Sequence, residues 1–387
     1  MGPMFSAFDH SMMQRALDEA RKGLYTTTPN PRVGCVIVKD GEIIGSGFTQ
    51  PAGQAHAEAR ALSNCRAQGN DPAGATVYVT LEPCSHFGRT APCVNALIDA
   101  RVSRVVAAIE DPNPMVSGQG LEALRQAGME VRCGLARDEA YELNIGFFSR
   151  MNRKRPWVRM KVAISLDGFT ALQNGDSKWI TSAAARQDGH LWRARACAIL
   201  TGIGTVKEDD PLLTVRDVDT PRQPIRAVID SRLEISLEAK VILGGALVFC
   251  AVDNPAKVAE LKDRGVEVVV LPNDAGKVDL VSVLNDLAQR GINELHVEAG
   301  SKLNGSFLQA KCIDELVVYT APIIIGAGRG MFDLPAPNLL SDAERWELLD
   351  RRIIGPDLRT RFRRAPVRVE KSEPVPVTVT PPLPLPT

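Results

Sequence analysis

His56-Ala57-Glu58, then Pro83-Cys84, then Cys93 bring one imidazole, one carboxylate and two thiols into a short stretch of chain. Imidazole nitrogen and thiolate sulfur are ligands that zinc favours. Three such ligands, His56, Cys84 and Cys93, leave the fourth tetrahedral position open, as a catalytic zinc requires. Zinc there would bring the pKa of a bound water toward neutrality. Glu58 is too close to His56 in sequence to be a convincing fourth ligand; its expected role is to carry the proton of that water. Other readings compete. A lone cysteine is usually a small buried hydrophobe, which is our reading of Cys35, Cys65, Cys133, Cys197, Cys250 and Cys312. A Cys84–Cys93 disulfide is sterically conceivable but does not suit a reducing compartment. A structural zinc would want a fourth ligand, for which His86 is available.

The elements that must position this set can be read from periodicity. Residues 11–22 form an amphipathic helix, with Met12, Ala16 and Ala20 on one face. Val33 to Lys39 and Glu42 to Phe48 are strands joined at Asp40-Gly41, a hairpin signal. His56 opens a helix to Cys65, and the strand Ala75 to Leu81 leads into Pro83-Cys84. Pro92 starts a helix to Ala100 and places Cys93 at its positive end, where a thiol pKa falls. Strands at 102–109 and 129–133 and a helix at 121–127 complete an α/β sandwich ending near Ser149.

Asn152 to Pro156 reads as a short basic connector, after which the pattern restarts. Strands are expected at 157–165, 198–202, 225–230, 246–251, 266–271, 294–298 and 315–322, and helices at 183–195, 255–264, 278–290 and 301–311. The organisation is therefore α/β in two domains, 1–149 and 150–364. A Pro/Val/Thr-rich tail, 365–387, has no core-forming pattern and is expected to be disordered. The second domain lacks Gly-x-Gly-x-x-Gly after its first strand, so a Rossmann fingerprint is absent. Its local signal is the run from Glu294 to Ser306, where a strand ends at Ala299-Gly300 and a helix starts. Free N–H groups at such a start bind phosphate.

Lys plus Arg and Asp plus Glu balance at 46 each, which opposes a strongly basic nucleic-acid surface. No apolar run approaches the roughly 20 residues that span a bilayer. Eight scattered cysteines do not form a disulfide framework and suit a reducing, cytoplasmic setting. The expected partner is a small molecule, with no nucleic acid and no membrane. Oligomeric state is left open, a homo-oligomer included.

His-x-Glu followed by Pro-Cys-x-x-Cys is the signature of zinc deaminases acting on nucleobases. Here the spacer between the cysteines is eight residues, Ser85 to Pro92. That longer spacer, with Pro29 to Val38, Thr80 to Cys93 and Glu110 to Pro114, closely resembles the bifunctional riboflavin-biosynthesis deaminase-reductases. Ser165-Leu166-Asp167-Gly168, Ser177 to Thr181, Asp209 to Arg216, Pro224 to Arg226 and Asp230-Ser231 resemble the reductase half of the same family. The resemblance covers about residues 8–363. It implies a cytidine-deaminase-like three-layer sandwich followed by a dihydrofolate-reductase-like domain, with Zn2+ and NADPH as cofactors. The implied reactions are hydrolytic deamination of 2,5-diamino-6-(5-phosphoribosylamino)pyrimidin-4(3H)-one and reduction of the product's ribose to the ribitylamino uracil phosphate. It places Asn30 and Arg89 near the first substrate. It places Ala163, Trp179, Thr205, Asp209, Ser231 and the turn Gly300, Ser301, Lys302, Leu303, Asn304, Gly305 and Ser306 on NADPH. Ser177, Arg193, Leu213, Arg216 and Glu298 would face the second substrate.

Physical readings accompany these placements. Arg193 and Arg216 offer planar forks suited to a phosphate, and Trp179 could wall the nicotinamide pocket or be a core aromatic. Thr49 stands where the family usually has His, so a substrate-facing imidazole is replaced by a hydroxyl that cannot carry charge at neutral pH. The proton donor of the reduction stays unassigned. An RNA-editing deaminase is opposed by the neutral charge and the long spacer. A zinc-stabilised NADPH sensor is opposed by Glu58, which a structural site does not need.

Overall fold

Ser6 sets the start of the first element. Its hydroxyl accepts from Asp9 N–H (3.1 Å), and the Asp9 carboxylate accepts from Ser6 N–H (2.8 Å), a reciprocal capping box. Helix α1 therefore runs Ala7–Lys22 and begins one turn before the apolar periodicity suggests. The computed structural model describes residues 5–85, 92–114 and 116–364. His86, Arg89 and the tail at 365–387 lie outside the described residues.

After α1 come β1 (Gly34–Lys39), β2 (Glu42–Phe48), α2 (Ala57–Ala67), β3 (Thr76–Val79) and α3 (Cys93–Asp99). They are followed by β4 (Arg104–Ala107), α4 (Gln119–Gln126), β5 (Glu130–Cys133), α5 (Arg137–Leu143) and α6 (Ile145–Arg153). Asp40 and Gly41 both take positive φ, 53° and 84°, as a tight β1–β2 turn needs. The sheet order is β2-β1-β3-β4-β5, with β1 antiparallel to β2 and β3 and the remaining pairs parallel. Helices cover both faces. Gly34 faces α1 so closely that a Cβ would stand 1.9 Å from Ala16 O, while Gly45 and Gly47 turn to α2 on the other side. These are the three layers expected.

Helices α5 and α6 were not foreseen, and α6 absorbs Asn152 and Arg153 from the expected connector. Their buried residues Ala140, Ile145, Phe147 and Phe148 belong to helices, not to a chain leaving its domain. Lys154, with φ 57°, ends α6.

The second unit contains β6 (Trp157–Ile164), β7 (Phe169–Leu172), α7 (Ala183–Arg195), β8 (Ala198–Gly202), α8 (Ile203–Asp209), β9 (Ile225–Ile229), β10 (Ala246–Cys250) and α9 (Pro255–Lys262). It continues with β11 (Val266–Val270), α10 (Leu280–Gln289), β12 (Glu294–Val297), α11 (Ser301–Gln309), β13 (Glu315–Thr320), β14 (Gly328–Gly330), β15 (Trp346–Ile354) and β16 (Asp357–Arg364). Nine strands order as β11-β10-β9-β8-β12-β6-β13-β16-β15. All neighbours are parallel until β16, which runs antiparallel to β13 and β15. Strand β12 returns to lie between β8 and β6, so a crevice opens at their C-terminal ends, where ligands collect in such sheets.

One face of this sheet is polar. Arg159 is 1% exposed and donates to Glu294 (2.8 Å) on β12 and Glu315 (3.2 Å) on β13. Trp192 of α7 lies beneath the guanidinium groups of Arg159, Arg361 and Arg359 at 4.7, 5.1 and 5.5 Å. This explains why β15 and β16 were missed: Arg359 is buried while its neighbour Leu358 is exposed, so β16 reads inside out.

Candidate active sites

At the first site, His56 is the N-cap residue of α2, and Glu58 sits in the first turn of that helix, 4% exposed. Cys84 follows β3, and Cys93 is the first residue of α3. His56 Nδ1 lies 3.5 Å from each sulfur, and the three ligand atoms lie within 4.8 Å of one another. The compactness and chemistry of this N/S/S set fit zinc with an open position.

The first turn of α3 acts on a different cysteine from the one expected. Cys93 N–H points at Cys84 Sγ (3.3 Å), so Cys84 receives the helix-end donor. Hydrogen bonds from the Cys93 thiol and from His56 pull the Cys84 thiol down to about 4. The Cys93 thiol, bonded to that thiolate and buried, is pushed up. The two sulfurs thus share one proton until a cation neutralises both. Burial, with the Cys84 charge nearby, raises the Glu58 carboxyl to about 7.

The surrounding loops converge on one end of the sheet. Thr49 N–H donates to Val33 O (2.9 Å) and Thr80 N–H to Gly34 O (3.0 Å), so the Asn30 loop, Thr49, His56 and Cys84 leave the sheet together. Thr49 is 3% exposed and its hydroxyl has no hydrogen-bond partner among the described residues. Asn30 is half-buried, its side chain likewise unbonded. Glu82 was not singled out from sequence. Its buried carboxylate accepts from the N–H groups of Gly120 (2.8 Å), Gly118 (2.9 Å), Asp111 (3.1 Å) and Leu121 (3.3 Å). It pins the Glu110–Pro114 loop against the Cys84 strand. Its position inside Thr-Leu-Glu-Pro-Cys was the only local signal.

At the second site, Glu298 directly follows β12 and accepts two bonds from Arg193 of α7 (2.6 and 2.9 Å). The remaining Arg193 nitrogen donates to Thr214 O (3.1 Å). Arg193 is therefore not the free phosphate fork expected: its fork is engaged, and it orients Glu298. Arg216 is exposed with its guanidinium free among the described residues. Burial works to raise the Glu298 pKa, but Arg193 outweighs it and holds the carboxyl well below the usual range. His296, 0% exposed, brings Nε2 to 3.3 Å from Glu298. Lys161 on β6 faces the same cluster, and burial draws its amine below the usual lysine range. The sequence reading passed over Lys161 and His296. Their signal is the period-two polar stripe Arg159, Lys161 on β6 and Glu294, His296, Glu298 along β12.

The residues assigned to the dinucleotide gather at the crevice. Ala163 lies near the end of β6, Thr205 in the first turn of α8 after β8, Ser231 just after β9, and Gly300 caps α11 without a side-chain bond. Thr205 Oγ1 faces Gly300, at 3.9 Å from where a Cβ would stand. Asp209 pairs with Lys178 (3.0 Å). Trp179 is 68% exposed under Arg186 (4.3 Å), which excludes the core-aromatic reading. Leu213 is buried with φ 49°, and Ser177 is half-buried nearby in sequence to Trp179. The Gly300–Ser306 run divides. Its first turn presents the free N–H groups of a helix start. Asn304 instead donates to Met331 O (3.1 Å), Gly305 packs on Asp333, and Ser306 bonds back to Lys302 O (3.0 Å).

Residues 6–109 match the family model described as the cytidine and deoxycytidylate deaminase zinc-binding region, and residues 156–358 match the RibD C-terminal domain. The chain is 46% identical over 364 residues to the riboflavin biosynthesis protein RibD of Escherichia coli, covering 90% of this chain and 98% of that one. It is 44% identical over 371 residues to the RibD of Haemophilus influenzae, covering 92% and 98%. Among solved structures, Acinetobacter baumannii RibD superimposes with a TM-score of 0.86 at 42% identity, covering 93% of this chain and 99% of that one. The Thermotoga maritima diaminohydroxyphosphoribosylaminopyrimidine deaminase/5-amino-6-(5-phosphoribosylamino)uracil reductase gives 0.83 at 34% identity, covering 92% and 99%.

Proposed function

The chain belongs to the RibD family of riboflavin-biosynthesis proteins, and on that premise we propose which of its residues carry the two reactions. It is a bifunctional enzyme, a zinc-dependent deaminase followed by an NADPH-dependent reductase. The expected division at 149/150 falls inside α6, so we place it where that helix ends, after Arg153, with the reductase reaching residue 364.

His56, Cys84 and Cys93 would hold zinc. Zinc, when bound, supplies the Lewis acidity that makes water a nucleophile near neutral pH. Glu58 takes the proton from that water and delivers it to the ring nitrogen of the diaminopyrimidine; it then helps the departing amine leave as ammonia. Glu82 keeps the Cys84 strand and the Glu110–Pro114 loop in register around this chemistry. Thr49 offers the substrate a neutral hydroxyl, and Asn30 an amide.

In the second domain NADPH, when bound, supplies hydride to the ribose C1′. The first turn of α11, with Thr205 and Ser231, receives the dinucleotide. Arg193 fixes Glu298 against the substrate with the His296 ring packed beside it, and Arg216 is the cation free to meet its phosphate. Lys161, whose amine burial draws below the usual lysine range, is the group through which the accompanying proton can enter, beside a Glu298 that Arg193 keeps ionised. A small-molecule partner in a reducing cytoplasm suits eight cysteines that are all free thiols. Among the described residues no helix is long and apolar enough to cross a membrane.

The observation that carries this reading is the His56/Cys84/Cys93 triangle with a buried carboxylate beside it. The test is an anaerobic assay of zinc-loaded protein with the diaminopyrimidine phosphate and NADPH. Ammonia release should precede NADPH consumption, mole for mole. NADPH loss without ammonia, from zinc-replete protein, rejects the first assignment.

A further inference from the structure

The loop at 24–32 carries Asn30 and feeds β1, yet much of what fixes it comes from the other domain. Arg222 donates to Tyr25 O (2.7 Å) and is itself held by Ala196 O (2.9 Å) and Ala194 O (3.1 Å) at the end of α7. Asn293, just before β12, donates to Pro29 O (3.0 Å) and is oriented by Arg150 (2.6 Å). Thr28 Oγ1 meets Cys197 Sγ at 3.2 Å. Arg32 closes the loop with bonds to Glu294 (2.5 Å) and Arg195 O (3.3 Å). Arg222 and Asn293 bond main-chain carbonyls. They therefore fix the path of the loop, whatever side chains it bears. A loop of turns and irregular backbone has no ladder of its own to impose that path.

We propose that Arg222 and Asn293 of the reductase domain are positioning residues of the deaminase site, holding the Asn30 loop in the shape that receives the first substrate. The inference rests on the reading that Asn30 contacts that substrate. Asn293 adjoins β12, and Arg222, just before β9, is braced by the end of α7; α7 and β12 are the elements that also present Arg193 and Glu298 to the second site. The reductase domain thus completes the deaminase.

The test uses full-length, zinc-loaded Arg222→Met, Arg222→Lys, Asn293→Ala and Asn30→Ala proteins. Misplacing a substrate contact by about 1 Å can cost ~100-fold, and loss of one of several restraints should cost less. Arg222→Met and Asn293→Ala should each raise the KM for deamination about tenfold, with kcat and zinc content unchanged. Amide exchange across residues 24–32 should quicken in the zinc-loaded protein without substrate. Arg222→Lys, which keeps one donor, should recover part of both effects. Asn30→Ala should raise KM without changing exchange. If Asn30→Ala leaves KM unaltered, the substrate contact of Asn30 is wrong, and the KM of the other variants judges the clamp alone. Faster exchange with an unchanged KM, or no change in either, overturns the proposal.

Discussion

Replacing Glu58 by Gln separates metal binding from proton transfer at the first site. The amide matches the carboxylate in size, so the 4%-exposed pocket gains no cavity. The ligand triangle spans 4.8 Å or less without Glu58, so zinc should stay at one per chain. A neutral amide cannot accept the water proton. General acid–base catalysis contributes ~10²–10⁴-fold, and Glu58 serves both the attack and the departure of ammonia. A loss of ~10³–10⁴ in kcat is expected, about 4–5 kcal/mol at 1.36 kcal/mol per decade. KM should move by less than about threefold, because the substrate contacts assigned to Asn30 and Thr49 remain. The assay is ammonia release from the diaminopyrimidine phosphate, with zinc measured by mass spectrometry on the same preparation. Reduction of the deaminated substrate by NADPH is the internal control and should be unchanged. A variant that keeps a tenth of the parent activity refutes the proton role. A variant that loses its zinc shows Glu58 to be a ligand instead.

Two further outcomes follow from the same geometry. Cys93→Ser removes one of three ligands; zinc affinity should fall by more than the ~10–100-fold typical of outer-shell changes, and deamination with it, while the reductase rate persists. Zinc titration against a chelator decides this, and equal affinity in the variant rejects the ligand assignment. Acid stability reports Glu315: burial opposes its charge, but Arg159 and Arg361 outweigh burial and hold its carboxyl down at about 2. Its folded pKa lies below its unfolded one, so its contribution is whole above about pH 4.5 and is lost as pH falls through about 2. The shift corresponds to ~3 kcal/mol in order of magnitude. Glu315→Gln should therefore be destabilised by about that much at pH 7, with the gap to the parent closing below pH 4.5. A pH-independent gap in calorimetric unfolding counts against this account.

The parts of the molecule that were legible from sequence are those encoded by short local rules. Asp40-Gly41 marks the hairpin, Pro92 marks the start of α3, and the zinc ligands fall at the ends of elements so marked. The strands of the parallel core were readable because they are short apolar runs between loops. What was missed depends on distant partners. Strand β16 buries Arg359 and half-buries Arg361 because Trp192, Glu315 and Asp188 wait for them on other elements. Glu82 looks like any motif acid until the N–H groups near residues 111–121 fold onto it. Arg193 reads as a free cation until Glu298, 105 positions away, takes its fork.

The same long-range charges constrain how the two domains can cooperate. Arg32 of the first domain and Glu294 of the second meet with side chains 6% and 0% exposed. Glu294 also takes Arg159 (2.8 Å) and Arg195 (2.7 Å), and these cations together hold its carboxyl well below the usual range against the pull of burial. Stranding one member of such a buried set costs about 3–5 kcal/mol. Gly146 adds a steric lock, since a Cβ there would stand 2.5 Å from Asn293 O. A hinge at this interface would have to separate Arg32 from Glu294 and lift α6 off Asn293 in every catalytic cycle. Domain closure is therefore a poor route for passing the aminouracil product between sites. These contacts favour a fixed arrangement of the two domains, in which the ends of α7 and β12 brace both sites at once.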